Sequence, residues 1–142
     1  MNPEEFFKTA EKLKDSDKEP DLRTSMGRSY YAVFLYFRDY LFELGLVPKI
    51  KNHEPHKFVL SCMSNSRVKE AQSLSTKLVE LKQKRTKADY DLKIKVTNTE
   101  AEDVLEDAKE AIATFNSLMT PDKQNTLVVN TKQFAENWPR GC

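Results

Sequence analysis

Glycine is nearly absent from this chain, at three residues in 142. Phosphate-cradling loops and β-rich folds with many turns both lean on positive-φ glycines. The scarcity argues against a Walker or Rossmann nucleotide fold and against a strand-based domain. Cysteine is as scarce: Cys62 and Cys142 form no C-x-x-C pair, so neither a cysteine zinc site nor a disulfide scaffold is expected. Long apolar runs are missing too. None approaches the roughly 18 residues of a membrane span, and the first residues include Glu4 and Glu5 rather than a basic targeting segment, so a cytoplasmic protein without a membrane anchor is expected. Charge of one sign is not in excess either, the net being +1, so any contact with nucleic acid must come from a local patch. Ser-His-Asp and H-E-x-x-H arrangements are missing, and no cofactor or metal is implied.

What is present is helical in character. With 39% hydrophobic and 32% charged residues, many of them Lys, Glu and Ala, the chain suits one soluble domain with one core. The densest stretch is Arg28-Ser-Tyr-Tyr-Ala-Val-Phe-Leu-Tyr-Phe-Arg38-Asp-Tyr-Leu. At about 100° per residue it resolves into two apolar stripes. Met26, Tyr30, Val33, Phe37, Tyr40 and Leu44 form one; Arg28, Tyr31, Leu35, Arg38 and Phe42 form the other. Ser25, Ser29, Asp39 and Glu43 divide them on one side. An ordinary surface helix has one apolar face, so this helix is either central in a bundle or shared with a partner.

The other segments arrange themselves around it. Asn2 and Pro3 start a short helix reaching about Lys14. Asp21 is the expected cap of the central helix, which Gly45 ends near Leu44; Gly27 inside it costs roughly 1 kcal/mol against Ala and suggests a close helix crossing. A loop with Pro48 follows, then a short helix from Pro55 over His56 to Met63 that buries Phe58, Val59 and Cys62. Ser64-Asn65-Ser66 restarts the chain into a helix from about Arg67 to Tyr90. Its seam of Ala71, Leu74, Leu78, Leu81 and Ala88 is interrupted by Arg85, a charge that must be paired where it is desolvated. Asp91 to Asn98, with alternating Leu92, Ile94 and Val96, reads as an extended loop packed on the bundle. Thr99 and Glu102 form a capping box for the next helix, through Ala101, Val104, Leu105, Ala108, Ile112, Phe115 and Leu118 to about Met119. Pro121 marks its end. The fold class expected is all-α: an up-and-down four-helix bundle with one extra short helix over 1–120. A tail, 121–142, is polar except for Leu127-Val128-Val129, Phe134 and Trp138 and reads as an appendage for docking on the bundle or on a partner.

Three groups are candidates for chemistry. Arg28, Tyr31, Leu35 and Arg38 share one face; the arginines there either grip phosphate through their planar forks or pair with acids such as Asp39 and Glu43. His53 and His56 flank Pro55, where an imidazole could act as acid or base or simply sit at the surface. Arg85, Asp89 and Tyr90 close the long helix; Arg85 and Asp89 are spaced to pair. Lys82, Lys84 and Lys87 beside them are either a solvated face or a patch for RNA.

The stretch from Arg28 to Arg38 resembles the Ser-Arg-Ala-Tyr-Tyr-Ala-x-Phe-His helix of the HEPN domain (higher eukaryotes and prokaryotes nucleotide-binding). The Asn52-His53 loop, the helix ending Arg85-Thr-Lys-Ala-Asp89-Tyr90, and the final helix beginning Thr-Glu-Ala-Glu follow in that family's order. The resemblance covers about residues 3 to 119. It implies a bundle that dimerises through the central helix, here the face of Arg28, Tyr31, Leu35, Arg38 and Phe42. It also implies relatives among metal-independent ribonucleases of toxin–antitoxin and defence systems, in which the 2′-hydroxyl attacks the adjacent phosphate, a His moves the proton and an Arg steadies the charge. Arg28 matches that Arg. The family's His falls seven residues on, at Leu35, which cannot transfer a proton.

Three functions follow from the resemblance. The first is a dimeric module that binds RNA or a nucleotide, in a toxin–antitoxin or defence setting, without the usual catalytic His. Arg28, Tyr31, Arg38, His56, Arg85, Asp89 and Tyr90 would contact the ligand. The second is an endoribonuclease using Arg28 with a loop His, His53 or His56, as the proton-transferring group. The third is a non-catalytic partner of a nucleotidyltransferase.

Overall fold

A computed structural model describes residues 1–45 and 55–136. His53, the Pro48 loop, Trp138 and Cys142 lie outside the described residues. Within them the chain is all helix, with no strand. The elements are α1 (Glu5–Leu13), α2 (Glu19–Glu43), α3 (Pro55–Ser64), α4 (Lys69–Tyr90), α5 (Asn98–Leu118) and α6 (Pro121–Glu136).

The 25-residue α2 is the hub: α1, α3, α4 and α5 all pack on it. Its buried residues include Met26, Tyr30, Val33 and Phe37 of the first stripe, while Tyr40 and Leu44 of that stripe stay half-buried and Ala32, Phe34 and Leu41, in neither stripe, are buried. Phe37 meets Phe115 of α5 edge-on at 4.8 Å between centroids, and Tyr40 meets the same ring at 5.2 Å. Ser25 Oγ donates to the Ala10 carbonyl at 2.8 Å, satisfying a hydroxyl where α1 crosses α2. Phe58 and Met63 of α3, Leu78 and Leu81 of α4, Leu105 of α5 and Leu127 of α6 complete one continuous core. No helix among the described residues is long and apolar enough to cross a membrane.

Helix starts differ from the sequence expectation by up to three residues. The α2 helix begins at Glu19, not after Asp21, because Pro20 fits its first turn. Asp21 instead accepts a 2.6 Å hydrogen bond from Ser16 Oγ, and that hydroxyl accepts from the Lys18 amide at 3.1 Å. The α5 cap is Thr97, whose hydroxyl accepts from the Glu100 amide at 3.2 Å; Thr99 is already helical. The α4 helix waits until Lys69 because Arg67 adopts φ 59° and Val68 is extended. Gly45 ends α2 near the expected place with φ 81°. Gly27 is not squeezed by a crossing helix: a Cβ there would meet only Arg85 Cγ, at an ordinary 4.0 Å.

The segment after Pro121 forms α6, which lies against α3. Leu127 is fully buried, Asn130 Nδ2 donates to the Ser66 carbonyl at 2.8 Å, and Lys123 pairs with Glu70 at 2.6 Å.

Candidate functional site

The residues of the second stripe lie outside the buried part of α2. Arg28, Tyr31, Leu35 and Arg38 are half-buried and Phe42 is 39% exposed. The two arginines have separate surroundings. Arg28 places its guanidinium 5.4 Å from the Phe6 ring of α1. Arg38 pairs with Asp39 at 3.1 Å and lies 5.6 Å from the Phe42 ring. Arg28 thus keeps its charge uncompensated by any acid among the described residues, while Arg38 has taken the paired alternative.

A tighter cluster forms where α2, α3 and α4 meet. His56, at the start of α3, stacks on Phe34 at 3.9 Å between centroids and 14° between planes. Its Nδ1 stands 2.6 Å from the Tyr30 hydroxyl. Tyr30 is almost wholly buried, and that desolvation pushes its phenol far above the ordinary range although the Arg85 charge opposes it. The hydroxyl therefore stays protonated and orients the imidazole. From the other side, Arg85 sets its guanidinium 5.1 Å from the Tyr31 ring and 5.8 Å from the Tyr30 ring. Its Nε donates to Asp89 Oδ2 at 3.1 Å.

The charge on the α4 seam is thereby explained. Arg85, whose side chain is 16% exposed, trades hydration for one carboxylate and two aromatic faces. Chemically the arrangement is a rigid aromatic wall with a planar cation and an oriented imidazole at its rim. Guanidinium forks suit phosphate, and the open Tyr31 ring suits a base.

Arg85, Asp89, His56 and Tyr31 are brought together. Tyr90 is not; at 74% exposure it faces solvent on another side of α4. Sequence reasoning put Tyr30 in the core and gave Phe34 no role. Their i, i+4 spacing, which aims both rings at one neighbour, was the signal available. Arg23 was also missed. It donates to the carbonyls of Ala88, Asp91 and Ile94 at 2.7, 3.0 and 2.6 Å, fixing the end of α4 to α2. A guanidinium with three carbonyl acceptors on one segment is a clamp that spacing within α2 cannot reveal. Among the described residues no three His, Cys, Asp or Glu side chains gather as they would to hold a metal ion.

The family model described as HEPN domain matches residues 2–118, which takes in α1 to α5 and leaves α6 outside. Comparison with curated proteins and with solved structures finds no match.

Proposed function

This chain belongs to the HEPN domain family, and we propose that it is a dimeric module that binds RNA or a nucleotide without cutting it, in a toxin–antitoxin or defence setting. The observation that carries this reading is the position of Arg85. Its guanidinium lies beside two tyrosine rings at the rim of the fold, with Tyr31 half open to a ligand base. Arg28, two helical positions short of Tyr30 on α2, adds an acid-free cation. Two copies joined through the outer face of α2 would bring two Arg28 side chains near one ligand.

Binding is favoured over cleavage by two features. Leu35 fills the helical position where a proton-transferring His would complete the family's pattern. His56, the imidazole at the site among the described residues, is stacked on Phe34 and bonded to Tyr30, which suits it to shaping the wall.

The test is incubation of the purified protein with labelled RNA in the absence of metal, alongside Arg28→Ala, Arg85→Ala and His53→Ala. Intact RNA, bound in a salt-sensitive way and weakened about tenfold by Arg85→Ala, is the expected result. Cleavage lost in Arg28→Ala or His53→Ala would replace this reading with the ribonuclease. Binding of neither RNA nor mononucleotide would leave a protein-interaction module, such as a nucleotidyltransferase's partner.

A further inference from the structure

The charge of this chain is concentrated in one place. Between Lys82 and Lys95 stand six cations and two acids, a local excess of four in a chain whose whole excess is one. Several of those cations are accounted for. Arg85 is held by Asp89, Lys84 lies 3.7 Å from Asp107, and Lys95 bears on Glu19. Lys82, Lys87 and Lys93 make no ion pair among the described residues. Three acids in or beside this stretch are engaged elsewhere, while Glu100 and Asp103 share a hollow with Lys87 without pairing with it. Glu80 pairs with Lys77 at 3.6 Å, Asp89 with Arg85, and Asp91 Oδ1 accepts the Lys93 amide at 3.3 Å.

The same surface exposes apolar and aromatic groups. Val79, Gln83, Thr86 and Tyr90 recur at helical spacing and form one outward stripe of α4. Tyr90 is 74% exposed and Leu92, just beyond the helix, 77%. An open groove of about 860 Å³ between α3 and α4 is lined by Leu60, Val79, Lys82, Gln83 and one acid, Glu80, which Lys77 pairs, among others. It shares Thr86 and Lys87 with the next hollow, which reaches Tyr90 and Lys93. Lys82 precedes Arg85 by one turn, so this groove begins beside the His56–Arg85 cluster.

We propose that this surface is a track for single-stranded RNA, with Lys82, Lys87 and Lys93 on successive phosphates and a base stacked on Tyr90. Unpaired lysines alone would be an ordinary solvated face. Lysines without acidic partners, along an open groove that ends on a bare aromatic ring, match how single strands are held without sequence readout. A duplex has its bases already stacked and offers Tyr90 none. The proposal rests on the RNA-binding reading above and makes it specific: the ligand is a polynucleotide strand, and a mononucleotide would occupy only the cluster.

The experiment measures fluorescence anisotropy with labelled oligouridylate of about 12 nucleotides, the same length of duplex RNA, and labelled UMP. The proteins are wild type, the triple variant Lys82→Gln/Lys87→Gln/Lys93→Gln, Tyr90→Ala and Arg85→Ala. All the groups changed in the first two variants are at the surface, and thermal melts check that each variant is folded. The triple variant should weaken the oligomer about tenfold or more and reduce the salt slope by about 2, as loss of three phosphate contacts predicts. Its UMP binding should not change. Tyr90→Ala should weaken the oligomer roughly tenfold with its salt slope intact. An unchanged oligomer affinity and slope in the triple variant, with binding lost in Arg85→Ala, would overturn the track and leave the cluster reading standing. Preference for the duplex would overturn the single-strand assignment. Failure of wild type to bind any probe would overturn both readings.

Discussion

The Tyr30 hydroxyl and Nδ1 of His56, 2.6 Å apart, join the central helix α2 to α3. Tyr30→Phe removes that hydrogen bond while keeping the ring, which stacks on Phe34 at 6.2 Å. The variant should lose about 1 kcal/mol, read as a lower urea midpoint with an unchanged slope. It also carries a pH signature. Burial raises the phenol of folded Tyr30 above its unfolded value, so the stability at stake is fully present below about pH 10 and is lost as pH rises beyond it. The alkaline decline should be shallower in Tyr30→Phe. It should not vanish, because burial also raises Tyr36 and Tyr40. Equal decline in both proteins would contradict the buried phenol.

Leu35 tests the outer face of α2. It is half-buried within the monomer and sits on the same stripe as exposed Phe42. A glutamate there would place a charge at the centre of the proposed subunit contact, where desolvation opposes it. Leu35→Glu should sediment as a monomer at concentrations where the parent is a dimer, with a thermal midpoint lowered by only a few degrees. An unchanged sedimentation profile would remove this stripe from the interface.

Much of this was legible in the chain, and the failures have physical causes. The two faces of α2 came directly from periodicity, since burial follows the 3.6-residue repeat. Arg85 was conspicuous because a charge stood where the seam wanted leucine. Its two aromatic partners were not visible, because Tyr30 and Tyr31 lie 55 and 54 positions away and periodicity is blind to which helices meet. Glycine was misleading at position 27, where a crossing helix was expected and only the stem of Arg85 approaches. Thr99 looked like the better cap because Glu102 completes a box with it, but the same pattern one turn-start earlier, Thr97 onto the Glu100 amide, won. The tail's few apolar residues, without a sustained helical period, gave little warning of a helix whose anchor, Leu127, is fully buried.

The clamp around Arg23 predicts an acid-sensitive loop. Glu19 accepts from the Val96 amide at 2.8 Å and from Arg23 at 3.0 Å, and these bonds, the amide first, hold its carboxyl below the usual range. A depressed carboxyl contributes stability that is present above the unfolded value of about 4.3 and is lost as pH falls through the folded one. The Val96 amide should lose hydrogen-exchange protection on acidification from about pH 6 to pH 3. In Glu19→Gln the protection should be low already and nearly independent of pH. Equal profiles in the two proteins would show that the loop is held by its apolar contacts alone, chiefly buried Val96.

The last prediction concerns the helix outside the family match. Thr131 of α6 is fully buried, and its hydroxyl finds no hydrogen-bond partner among the described residues. It lies one turn beyond Leu127 and next to Asn130, whose amide holds the Ser66 carbonyl at 2.8 Å. An orphan hydroxyl in such a place costs about 1–3 kcal/mol relative to hydration. Valine has nearly the same shape and nothing to leave unpaired, so Thr131→Val should raise stability by about 1 kcal/mol, seen as a higher urea midpoint. Thr131→Ala separates shape from polarity. It removes the orphan but also the methyl, and the small void should cancel most of the gain. If valine instead lowered the midpoint by a similar amount, the hydroxyl would have to be bonded in solution. The α6–α3 contact would then rest on a polar link as well as on Leu127.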